Sequence, residues 1–234
     1  MAYANWAAFV AAEPQANWNL EVNNQRSQWS FLAVHGLQLE RLSADLAREV
    51  AATQRYSYYG LLLHDTTVPP DNQRMRIAAP DFDEPQCLTL QGNASYTLSI
   101  HAISDVTDLP ADLGKIRVRG LDATRQTRVT EELTQAGFQV VNKSEEGAAT
   151  GGERGDALDP NNIAARNRNH EGVNLEMDLT FRKTLVVDPN NLDSAKNAQW
   201  AKLVKALGDY VGTYDKYNRW ADLAAVEVAG TDYR

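Results

Sequence analysis

Apolar residues along this chain follow two rhythms, and their alternation predicts the elements. Short apolar or alternating runs at 19–22, 27–34, 56–63, 96–101, 116–118, 138–141 and 172–179 read as strands. Helical spacing marks 3–12, 40–53 (with Leu39, Leu42, Leu46 and Val50 on one stripe), a short piece at 87–91, 122–136 stopped by Gly137, and 192–210 carrying Trp200, Leu203, Val204 and Leu207. Strands alternating with helices predict an α/β fold, with a mixed, largely parallel sheet flanked by helices. Residues 64–85 hold four prolines and read as a long loop of the kind that carries function. Residues 145–157 are glycine-rich and are expected to be mobile.

One pattern recurs. Tyr3-x-x-Trp6-Ala7-x-Phe9-x-Ala11-x-Glu13 returns as Tyr217-x-x-Trp220-Ala221-x-Leu223-x-Ala225-x-Glu227. We therefore divide the chain into a domain over 1–213 and a partial repeat over 214–234. That repeat is the start of a second copy, a tail that docks on a neighbouring molecule, or a coincidence of two alanine-rich helices. Docking would give self-association through the Tyr-x-x-Trp helix.

The 234 residues suffice for a substantial core. A net charge of −8 argues against nucleic acid or an anionic membrane as the main partner. Cys87 is the only cysteine, which excludes an intramolecular disulfide and makes a reducing interior the default. No apolar run reaches bilayer length and the first residues lack a basic leader, so the expected location is cytoplasmic, including a protein freed by lysis.

Chemistry gathers where the strands end. Phe31–Val34 runs into His35, the 96–100 run into His101, and Val173 and Leu175 lead to Glu176, while Glu40 follows His35 by five positions. Ligands of open α/β sheets collect beyond the carboxyl ends of the strands. Two imidazoles and a carboxylate are a familiar zinc set that leaves one position for water. His35, Glu40 and His101 are thus candidate metal ligands, and Glu176 the candidate general base. Each has a plainer reading. The histidines could be satisfied strand ends, Glu40 a carboxylate favouring a helix N-terminus, and Glu176 a partner of Arg166 or Arg168. His64 and His170 sit in loops and read as solvated. Asn72 and Arg74 in the proline-bounded loop, and Arg166 before the last strand, are candidates to meet substrate carboxylates.

The same segments resemble the phage-type poly-γ-glutamate hydrolases, a zinc family with a carboxypeptidase-like α/β fold. The resemblance runs in register from Tyr3 to about Tyr210, through His35-Gly36-Leu37-Gln38-Leu39-Glu40, Phe82-Asp83-Glu84-Pro85, Ser99-Ile100-His101, Asp159-Pro160-Asn161-Asn162-Ile163 with Arg166, and Gly172-Val173-Asn174-Leu175-Glu176. It implies Zn²⁺ on His35, Glu40 and His101, Glu176 as the catalytic carboxylate, and cleavage of γ-glutamyl amide bonds in poly-γ-glutamate. Departures lie at Leu37 and Gln38, where members carry a glycine-rich turn, and at Arg76 and Asp81, where they carry histidines. Ala78, Ala79 and Pro80 stand at serine and threonine positions. These changes touch substrate contacts and spare the metal set, so another carboxylate-bearing substrate is also compatible. The expected activity is a zinc-dependent amidohydrolase. The rival readings are a catalytically silent relative that binds a polymer or protein, and an assembly module.

Overall fold

The central strand β2 (Trp29–Leu37) is buried along nearly its whole length, as its continuous apolar run requires. In the computed structural model, which describes residues 3–64, 75–103, 112–142 and 157–229 (214–229 as backbone), β2 lies inside a seven-stranded sheet. The others are β1 (Trp18–Asn23), β3 (Ser57–Leu63), β4 (Tyr96–Ala102), β5 (Ile116–Gly120), β6 (Val140–Asn142) and β7 (Val173–Met177), in the order β1-β3-β2-β4-β7-β5-β6. Strands β3, β2, β4 and β7 run parallel, whereas β1 and the β5–β6 pair run the other way. The mixed, largely parallel sheet read from the sequence is the one observed.

Two cores cover its faces. Helices α2 (Ser43–Gln54), α4 (Ala123–Gln135) and α6 (Ala198–Ala229) pack on the larger one, around Trp29, Phe31, Leu98, Ile100, Val118 and Leu175. The smaller core, around Leu32, Val34, Tyr59, Leu61 and Phe82, is closed by α1 (Trp6–Ala12) and α3 (Pro85–Asn93). In α1 the Tyr-x-x-Trp pattern is a clasp. Phe9 is fully buried, Trp6 stacks on Phe9 and meets Trp18 edge-on, and the Tyr3 hydroxyl donates to the buried Glu13.

Several boundaries differ from the sequence reading, each for a local reason. α2 begins at Ser43, not at 40, because Leu42 adopts φ 74° and breaks the helical path. The last strand stops at Met177, where the Asp178 carboxylate accepts from Phe181 N and caps α5 (Leu179–Lys183). α6 starts at Ala198 after a turn over 192–197, and its backbone stays helical to Ala229, so the boundary expected at 213/214 falls inside it. The glycine-rich stretch lies outside the described residues apart from its last position. Among the described residues no helix is long and apolar enough to cross a membrane.

The β5–β7 pair closes through one tight approach, where Gly120 meets the start of β7. Gly120 has φ 136°, and a Cβ there would stand 2.1 Å from the carbonyl oxygen of Gly172. Gly120→Ala is expected to destabilise the fold by about 3 kcal/mol, through strain and displacement of the β5–β7 pair, and to lower the urea midpoint without changing the slope.

Candidate metal centre

A bulge aims His35. Pairing of β2 with β3 runs Ala33 to Gly60 and then Gly36 to Leu62, so β2 holds one residue more than its partner between these points. Simple alternation would send His35 with Phe31 and Ala33 into the larger core. The extra residue turns it to the other face, where its ring meets Phe82 edge-on and lies 6.4 Å from the His101 ring. The chain then folds back on itself. Glu40 N donates to His35 O at 2.9 Å, and Gly36 and Glu40 form a bridge. Glu40 therefore precedes α2 in a tight loop, and its carboxylate is spent on the site rather than on the helix dipole.

Three side chains meet there. Glu40 places one oxygen 3.1 Å from His35 Nδ1 and the other 3.3 Å from His101 Nδ1, and accepts from Ala102 N at 3.1 Å. One ligand atom from each lies within 4.8 Å of the others. Both histidines are held from behind: His35 Nε2 by Ile77 O at 2.7 Å, and His101 Nε2 by Ser99 Oγ at 2.8 Å. Such outer contacts fix the ring orientation of metal-bound histidines.

The donor set fits a divalent cation. A carbonyl oxygen only accepts, so His35 Nε2 carries the hydrogen it gives to Ile77 and a neutral ring turns the Nδ1 lone pair toward the Glu40 carboxylate. Two acceptors in contact need a proton or a cation between them. With bonds of about 2.0–2.1 Å, tetrahedral zinc ligands stand roughly 3.3 Å apart, close to the separations found here.

Electrostatics agree. Burial would raise the Glu40 pKa, but His101 and then His35 outweigh it and hold the carboxyl well below its usual range. Burial would lower the His101 pKa, yet Glu40, with help from Glu176, raises it above 6.5. In metal-free protein the Glu40 contribution is present above pH 4.5 and lost as pH falls toward the depressed value. The His101 contribution is full below pH 6.5 and lost as pH rises through the elevated value. The metal-free chain is thus expected to gain most from this pair between pH 4.5 and 6.5, read as thermal midpoint against pH in chelator.

Glu176 is on the same face. It pairs in register with His101 across β4 and β7, and lines a cleft with Glu40, Arg76, His101, Asn162 and Asn174. Its charged neighbour is Arg119, with Nε 3.5 Å from Oε2, not Arg166 or Arg168. Arg168 Nε instead donates to Gly92 O.

Arg166 is occupied elsewhere. Its Nε, Nη1 and Nη2 donate to the carbonyls of Asn161, Phe82 and Pro80 at 3.0, 3.2 and 2.6 Å, so it ties the 159–171 loop to the Phe82 segment. Three of its donors are thus engaged by backbone carbonyls. Asn72 and Arg74 lie outside the described residues. The Phe82-Asp83-Glu84-Pro85 motif also builds rather than reacts. Phe82 packs on His35, Asp83 accepts from Trp6 N, and Glu84 accepts from Cys87 N to cap α3, with Pro85 in its first turn. His64 and His170 are not in the cluster.

The sequence reading placed Arg76 beside the proposed site without a role of its own, and passed over Arg117 and Arg119. For the last two a signal existed: Ile116-Arg117-Val118-Arg119 alternates apolar and basic, which puts both arginines on one face of a strand.

A family model described as poly-gamma-glutamate hydrolase matches residues 3–211. The UPF0714 protein YndL of Bacillus subtilis (strain 168) is 28% identical over 183 residues, which is 78% of this chain and 66% of that protein. The SPbeta prophage-derived UPF0714 protein YoqZ of the same organism is 26% identical over 178 residues, 76% of this chain and 58% of YoqZ. The chain thus spans less than two thirds of the length of either relative. Among solved structures, a bacteriophage poly-gamma-glutamate hydrolase superposes with a TM-score of 0.78 at 21% identity, covering 92% of this chain and 98% of that one. A zinc-free form of YndL gives 0.72 at 24% identity, covering 90% and 96%. At these identities the superpositions establish the fold.

Proposed function

The chain belongs to the poly-gamma-glutamate hydrolase family, and from that premise we propose that it is a zinc-dependent hydrolase of γ-glutamyl amide bonds. The observation that carries the reading is the meeting of His35, Glu40 and His101 within 4.8 Å, with Glu40 and His101 lining the same cleft as Glu176. The zinc-free form in which YndL has been solved supports the choice of metal.

His35, Glu40 and His101 would hold the ion, which when bound supplies a water of pKa near about 7 and polarises a carbonyl. Ile77 O and Ser99 Oγ fix the two imidazoles, so the ligand face is preorganised before metal arrives. Glu176 takes the proton of the attacking water and returns it to the leaving amine. Arg119 keeps the Glu176 carboxylate turned toward the cleft. Arg76, on the cleft wall, offers a cation to an anionic substrate in a chain whose overall charge repels one.

The test is release of new amines from γ-linked and α-linked polyglutamate by the zinc-loaded chain. Release from the γ-linked polymer supports the reading. Release from the α-linked polymer alone would reject the linkage, and release from neither would reject the activity.

A further inference from the structure

Two contacts orient the His35 ring from behind and from the side, and both come from segments distant from β2 in sequence. Ile77 O takes the Nε2 hydrogen at 2.7 Å, and the fully buried Phe82 meets the ring edge-on. Both segments are fastened to the same short stretch of chain. Tyr3 N donates to Arg76 O at 2.6 Å, and Tyr3 forms a parallel bridge with Ile77. Slightly further on, Trp6 N donates to the Asp83 carboxylate at 2.6 Å. Trp6 opens α1, so its N–H has no partner within the helix and Asp83 supplies one.

Residues 3–6 therefore brace the two segments against each other. The brace is itself anchored. Trp6 stacks on Phe9, both rings lie against Trp18 of β1, and the Tyr3 hydroxyl and Asn17 Nδ2 donate to the buried Glu13 carboxylate. Phe9, Ile77 and Phe82 belong to one buried cluster, so a shift of α1 is passed to both His35 contacts. Of the two bonds that fasten the brace, the one at Asp83 is made by a side chain.

We propose that Asp83 is a positioning residue for His35: through Trp6 N it locks α1 against Ile77 and Phe82, and so fixes the imidazole before metal arrives. The inference rests on the hydrolase reading above and concerns its metal site. His35 presents Nδ1 as a ligand while Nε2 is held by Ile77 O, because that bond fixes both the tautomer and the tilt of the ring. Releasing the brace leaves all three ligands in the chain but lets one of them turn, and affinity for metal falls. The Phe82 segment has other supports, since Glu84 caps α3 and Arg166 donates to Pro80 O and Phe82 O. It stays folded when Asp83 is changed and loses only its grip on α1.

A carboxamide oxygen accepts as a carboxylate oxygen does, so Asp83→Asn keeps the bond and Asp83→Ala loses it. The experiment measures zinc dissociation constants by competition with a chromogenic chelator for wild type, both variants and Val129→Ala. Val129 is fully buried on α4 in the larger core, so its truncation lowers stability without touching the brace. Asp83→Ala is expected to bind zinc about tenfold more weakly, with Asp83→Asn near wild type and Val129→Ala unchanged. Wild-type affinity in Asp83→Ala, no recovery in Asp83→Asn, or an equal loss in Val129→Ala would each overturn the role. A second readout needs no metal. In chelator-stripped, isotope-labelled protein the His35 Nε2 proton should be protected from solvent exchange in wild type and Asp83→Asn, and exchange faster in Asp83→Ala. Should wild type bind no zinc, the hydrolase reading fails and this signal decides alone. Faster exchange in Asp83→Ala would then support the brace, and unchanged exchange would remove it.

Discussion

Glu176→Gln is expected to lower kcat on poly-γ-glutamate by about three orders of magnitude with zinc content at the wild-type value, while the thermal midpoint falls because buried Arg119 loses its counter-charge. The substitution keeps the shape of the side chain and removes only its capacity to take a proton. Glu176 is outside the ligand cluster, so the metal set is untouched. Its ion pair with Arg119 is replaced by a neutral hydrogen bond at the same place. KM should change little, because binding precedes the proton transfer that is lost. Retention of full activity in steady-state kinetics would remove Glu176 from the chemistry. A fall in activity that tracks a fall in zinc would instead assign it to the metal.

His101→Ala should abolish stoichiometric zinc and bring activity to background. Two donors then remain where a catalytic site needs three. A diagnostic separates this from general damage. Zinc in large excess over its dissociation constant stabilises wild type by about 4 kcal/mol, and the variant should show no zinc-dependent shift at all. The metal-free forms should differ less, since alanine removes both the charge partner of Glu40 and the cost of burying a second ionisable ring. Elemental analysis of untagged protein and thermal melts with and without zinc decide the matter. A variant that still binds one equivalent would displace His101 from the ligand set.

Much of this was legible in the sequence because burial and hydrogen bonding leave a periodic trace. The runs ending at His35, His101 and Glu176 marked three parallel strands, and their shared direction brought the three residues to one edge. The final helix showed its stripe through Trp200, Leu203 and Leu207, all of which are buried. What escaped was set by contacts distant in sequence. The face on which His35 emerges depends on one extra residue between Ala33 and Gly36, and alternation alone would have placed it in the wrong core. The position of Glu40 depends on a left-handed Leu42, which helical periodicity ignores. Arg117 and Arg119 join the site only because β7 inserts between β4 and β5, so that a strand some sixty residues earlier becomes its neighbour. The structural tie made by Arg166 was equally illegible, because the three carbonyls it meets come from its own loop and from the distant Pro80–Phe82 segment.

The central claim is that a metal held by His35, Glu40 and His101 cleaves a γ-linked polymer. It is tested most directly by following the molar mass of poly-γ-glutamate by light scattering with one protein sample, first stripped by chelator and then restored with one equivalent of zinc. The account predicts constant mass with the stripped protein and a progressive fall once zinc is returned. A fall at the same rate without metal, or constant mass after zinc is bound, would contradict it.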